Sequence, residues 1–212
     1  MQKQSRVKNI IYSIALVITL LLAILQAPYG YYYSSGPFGF LVLAPYCVTG
    51  LLLTLLSYLA IFKDKGWRAT SSHRLGFVLI ILIGSVTLMT NNSFIEKLDW
   101  HLRKNKRNQI VMQVLKGELT PNQEHNSVIC KLKTNYFPPI SNGGNEIAIH
   151  RTKDNNRFTI EFYIDRGFLD HYTAFVYTNA NVGENSIELA SSSVISPRSI
   201  KKIDTNWYKV IY

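Results

Sequence analysis

The chain has 212 residues, of which 47% are apolar and only 17% charged, and its formal net charge is +10. A soluble domain carries about 25% charged residues, so this composition excludes intrinsic disorder. The placement of the charge also excludes a basic nucleic-acid-binding domain. Lys3, Arg6 and Lys8 open the chain, and residues 9–62 then hold no Asp, Glu, Lys or Arg. Lys63, Lys65, Arg68 and Arg74 form a second cluster and Arg103, Lys104, Lys106 and Arg107 a third, whereas residues 108–212 carry eleven basic against ten acidic residues. Most of the excess therefore lies beside long uncharged runs.

Three of these runs, residues 10–26, 39–62 and 75–91, approach the length of about 20 apolar residues that a helix needs to cross a bilayer. Lipid offers no partner to a backbone N–H or C=O, so each run is expected to be a helix. Pro45 is expected to bend the second. Lys and Arg accumulate in cytoplasmic loops, and the segments before residue 10 and between 63 and 74 are basic while 27–38 is not. The simplest orientation puts the N-terminus and the 63–74 loop in the cytoplasm. The 27–38 loop and the C-terminal half then lie outside a plasma (inner) membrane, as periplasmic or extracellular segments. The cluster at 103–107 opposes this assignment, but it precedes a long domain, and long domains translocate largely regardless of charge.

The 27–38 loop contains Tyr29, Tyr31, Tyr32 and Tyr33, which suit the headgroup level as an aromatic belt. An alternative is a contact surface for a partner. Residues 1–27 resemble a signal peptide in having a basic start and an apolar core, but Leu25 and Gln26 make a poor cleavage site. No lipidation motif stands near either end. The three runs contain no Asp, Glu, Lys, Arg or His, which argues against a pump or a proton-coupled transporter. They read as an anchor or an assembly surface.

The organisation expected is a three-span membrane domain over residues 1–98 and an α+β domain over 99–212. Residues 92–102 continue or leave the third helix. Residues 103–118 follow as an amphipathic helix, with Ile110, Val111, Val114 and Leu115 on one face and Gly117 as its stop. The basic start of this segment opposes the helix dipole. Arg103, Lys104, Lys106 and Arg107 are therefore read as membrane headgroup contacts, the alternative being a solvated helix end. Beyond residue 120 the period changes to two. Strands are expected over 146–152, 158–165, 172–179 and 206–212, with a fifth over 128–133, in an antiparallel sheet. Residues 153–157 form a hairpin connection, and 180–199 read as a long Ser- and Asn-rich loop.

No motif names a chemistry. Cys47 and Cys130 are too far apart in the expected fold to pair, no cysteine–histidine spacing fits a metal, and no phosphate-loop, nucleophile-elbow or zinc-protease pattern occurs. No catalytic residue, metal or cofactor is therefore assigned. The most polar cluster, Asp165, Arg166, Asp170 and His171, can form a ligand site or an acid–base group, against the plainer reading of a turn in which Arg166 pairs with a carboxylate. The leading expectation is a multi-pass membrane protein displaying a non-catalytic extracytoplasmic interaction domain, in an accessory, assembly or immunity-type role. Its partners are the lipid bilayer and another membrane or extracytoplasmic protein, or a second copy, but no nucleic acid. A ligand-binding or sensory module is the alternative, and a membrane-bound hydrolase a third.

Overall fold

The computed structural model describes residues 2–34, 38–63, 70–89, 92–142, 144–151, 157–166, 171–179, 182 and 197–212. The chain divides into two compact units, one comprising residues 1–30 and 40–95 and the other residues 31–39 and 96–212. Three helices belong wholly or mainly to the first: α1 (Gln2–Tyr33), α2 (Gly39–Tyr58) and α3 (Ser71–Met89). A π-helical turn, Leu59–Lys63, ends α2. Three stretches are long and apolar enough to cross a membrane: Asn9–Tyr33, Gly39–Phe62 and Ser71–Met89. The first exceeds the expected run because the helix continues through Pro28 to Tyr33, where a loop was expected.

Polar side chains in these helices are satisfied locally or between helices. The hydroxyls of Thr19, Thr49 and Thr54 donate to carbonyls one turn back, as lone hydroxyls in helices commonly do. Tyr12 donates to the Ala60 carbonyl at 2.9 Å and is buried with Ile61 and Phe77. Thr87 donates to the Ala23 carbonyl, and Gln26 donates to the Gly84 carbonyl at 2.6 Å. A Cβ at Gly84 would meet Ala23 at 3.7 Å and one at Gly76 would meet Leu16 at 3.6 Å, with the buried Ile80 halfway between them. Small residues at this spacing let α1 and α3 approach closely. Most other apolar side chains here face outward, among them Leu51 at 70% exposure.

The second unit contains most of α4 (Ser93–Leu115) and a six-stranded antiparallel sheet. Its strands are β1 (Ile129–Lys131), β2 (Glu146–Arg151), β3 (Phe158–Arg166), β4 (Tyr172–Thr178), β5 (Ser199–Asp204) and β6 (Trp207–Ile211), in the order β1-β2-β3-β4-β6-β5. A single helix replaces the expected two segments. It ends as expected at Gly117 (φ +75°): Gly117 N–H donates to Val114 and Glu118 N–H to Gln113. This is a Schellman cap, which favours glycine at the left-handed position.

The register separates two sheet faces. Ile147, Ile149, Ile160, Phe162, Phe175 and Trp207 share one. Trp100 of α4 packs 5.0 Å from the Phe175 ring and 5.1 Å from Trp207, and Trp207 donates to Asn108 of α4 at 2.9 Å. With Ile110, Val111 and Val114 buried on α4, this face holds the main core. The other face carries His150, Thr159, Glu161, Tyr163, Tyr172, Ala174, Val176, Val210 and Tyr212, many of them also buried. The fifth expected strand is present as β1. The sixth, β5, was not expected; it pairs with β6 through a turn in which Asn206 takes φ +60°.

Candidate functional site

Two buried polar centres lie in the second unit, one against α4 and one on the opposite sheet face. The first is built on three α4 residues spaced by four, Asp99, Arg103 and Arg107, which therefore share a helix face. One Asp99 carboxylate oxygen receives Arg103 at 3.3 Å and the Tyr32 hydroxyl at 2.7 Å; the other receives Arg107. Arg103 also donates to the carbonyls of Pro139, at 2.6 Å, and Pro138, and Arg107 donates to that of Ile140. The Arg107 guanidinium lies 4.7 Å from the centre of the Phe175 ring. Asn142 extends the network by donating to the Tyr31 carbonyl at 2.6 Å. Two guanidinium groups and one carboxylate thus clasp the end of α1 and the 138–142 segment onto α4. Removing charges from water is costly unless hydrogen bonds replace the solvent. This bonding does so for the carboxylate and the terminal guanidinium nitrogens, leaving Arg107 Nε buried without a hydrogen bond among the described residues.

The expected headgroup cluster consequently divides. Arg103 and Arg107 are buried and turned inward, so their guanidinium groups are engaged by protein rather than presented to headgroups. Lys104 pairs with Asp204, holding that exposed carboxyl below its ordinary range. Lys106 stays exposed, 5.9 Å from the Tyr136 ring centre. Reading the cluster as uniformly basic missed Asp99; the signal was its spacing of four and eight from the two arginines.

The second centre is Glu161, 1% exposed in the middle of β3. Tyr212 donates to one carboxylate oxygen at 2.6 Å and Tyr172 to the other at 3.2 Å, with His150 Nε2 3.7 Å from the latter. The Tyr172 and Tyr212 rings stack at 4.2 Å, and Tyr163 meets Tyr172 edge-on at 5.5 Å. Burial, then the Glu161 charge, raises the pKa of Tyr172 and Tyr212 and pushes that of Tyr163 up to about 12. Burial also raises the Cys130 thiol.

The sequence-predicted site lies at one end of this face. Arg166 sits over the Tyr163 ring at 3.9 Å and 3.6 Å from Glu146 of β2, while the expected turn at 167–170 lies outside the described residues. Asp165 opposes Thr173 beyond an irregularity in the β3–β4 pairing. His171 is exposed and its Nε2 lies 3.3 Å from Arg198, while Asp170 falls outside the described residues. No contact joins Asp165 to His171 among the described residues. Elsewhere in this unit a cleft of about 230 Å3 is lined by Ile110, Gln113, Leu119, Leu132, Lys133 and Tyr136. Among the described residues no group of three or more His, Cys, Asp or Glu is placed to hold a metal ion. Comparisons with known protein families, curated proteins and solved structures find no match.

Proposed function

We propose that the chain is a multi-pass plasma-membrane protein whose C-terminal α+β unit is displayed outside the cell membrane as a non-catalytic interaction domain. Three long apolar helices with outward-facing Leu, Ile and Val support the membrane reading, because such surfaces are costly in water. The observation that carries the display reading is the Asp99 clasp. It builds the end of α1, Tyr31 and Tyr32, into the same compact unit as the sheet. If α1 crosses the bilayer, the end of α1 and the sheet share one side. The basic segments at 1–8 and 63–74 then share the other, as the distribution of Lys and Arg favours. Committing Arg103 and Arg107 to Asp99 also weakens the opposing vote of the 103–107 cluster.

An interaction role, whether accessory, assembly or immunity-type, fits a unit in which the buried carboxylates among the described residues, Asp99 and Glu161, are each engaged by internal donors. Its edges differ. The Asn122 side chain accepts from the Lys131 N–H and donates to the Lys131 carbonyl along β1, whereas β5 forms the opposite end of the sheet order. Purification of the intact chain from its native membrane in mild detergent, with crosslinking before extraction, tests the role. Recovery of a defined partner or of self-crosslinked copies is expected. Repeated recovery of a lone monomer would overturn it.

A ligand-binding module remains the second reading, favoured by the tyrosines stacked above Glu161 at the Arg166 end of the sheet. A chain carrying Arg166→Ala and Tyr172→Phe that keeps every ligand response would remove it.

A further inference from the structure

We propose that Leu98, Leu102 and Phe137 form an apolar rim that seats the C-terminal unit in the outer leaflet, at the boundary between headgroups and acyl chains. The proposal rests on the membrane reading above and adds the surface that meets lipid. All three side chains are exposed: Leu98 at 46%, Leu102 at 71% and Phe137 at 90%. An exposed Phe or Leu standing alone needs no explanation, but here two leucines one turn apart on α4 accompany a phenylalanine next to the two prolines whose carbonyls Arg103 binds. Leu98 and Leu102 are one turn apart on α4, on the side away from Trp100, Arg103 and Arg107, which face the core. Arg103 binds the carbonyls of Pro138 and Pro139, which ties the residue next to them, Phe137, to the same stretch of helix.

The occupant follows from position. The Phe137 ring lies 6.3 Å from that of Tyr33, the last residue of the candidate span Asn9–Tyr33. A spanning helix that ends in Tyr31, Tyr32 and Tyr33 ends at the headgroup level, where tyrosine rings concentrate, and Phe137 shares that depth. Along α4 the exposed face carries Leu98 and Leu102 and then Asn105 and Gln109, before the exposed Met112. The exposed Lys97 and Lys106 flank the leucines on the helix circumference, where cations favour an anionic surface.

The test uses the full chain in bilayers of phosphatidylethanolamine and phosphatidylglycerol, with Cys47 replaced by Ser and the buried Cys130 kept. Single cysteines at Leu98, Leu102, Phe137, Gln109 and Leu51 carry an environment-sensitive fluorophore. Blue-shifted emission and quenching by lipids brominated near the headgroup are expected at 98, 102 and 137, with Gln109→Cys remaining open to aqueous iodide. Leu51→Cys separates the two readings: quenched there but not at the rim, the membrane reading stands and the rim fails; unquenched there, the membrane reading itself fails. Burial of the rim that appears only as the protein-to-lipid ratio rises would assign the surface to a second copy and overturn the proposal.

Discussion

At the scale of single residues, Asp99 is the charge on which the C-terminal unit most depends. It receives Arg103, Arg107 and Tyr32 while almost wholly buried. Removing one member of a buried ion network costs about 3–5 kcal/mol, because the remaining charges lose their compensation. Asp99→Asn should therefore lower the thermal midpoint of this unit sharply, followed by Trp100 and Trp207 fluorescence in a Trp67→Phe background. Lys104→Ala, which breaks an exposed pair with Asp204, should leave that midpoint unmoved. Equal shifts in the two variants would show that the network is not special. The tyrosines around Glu161 give a second expectation. Their folded pKa values lie above the ordinary 10, at about 12 for Tyr163, so the folded state holds protons that the unfolded state releases. The resulting stability is complete below pH 10 and is lost as pH rises from there through the folded values. Tyrosinate absorbance should lag behind that of unfolded chain between pH 10 and about 12. A titration coincident with the unfolded one would contradict the burial.

At the scale of elements, period and composition made most of the architecture legible, and the failures have local causes. The four strands with clean alternation were readable because one face of each packs against α4, as Ile160, Phe162 and Phe175 do. The strand β5 was not, because the irregularity in its pairing between Lys202 and Asp204 places Ile200 and Ile203 three residues apart instead of two. A bulge erases the pattern on which strand reading depends. The extra length of α1 was hidden by Pro28 and by tyrosines that resemble a loop, yet Tyr31 and Tyr32 are held by the domain. The amphipathic face of α4 was legible and yields its own test. Ile110 is 1% exposed and Met112 53%, so Ile110→Ala should cost about 2–5 kcal/mol and Met112→Ala under about 0.5 kcal/mol. Urea unfolding of the two variants checks this, and comparable losses would misplace the helix face.

At the scale of the molecule, charge distribution and the clasp bear on one question that the proposed membrane reading raises, which side of a bilayer each segment would occupy. The basic segments at 1–8 and 63–74 argue for two cytoplasmic ends of spans. Independently, the Asp99 network joins the end of α1 to the sheet, which demands a common side for Tyr32 and for everything after residue 96. Either argument could fail without the other, so their agreement can be measured separately. In intact cells, with Cys47 replaced by Ser, a membrane-impermeant maleimide should label His125→Cys, an exposed site in the C-terminal unit, and should not label Val7→Cys until the membrane is opened. Labelling of Val7→Cys alone would invert the orientation but leave the clasp intact, since both partners of the clasp would have moved together. Labelling of both sites from outside would mean that α1 does not cross, and would remove the reading of the +10 charge as a topology signal.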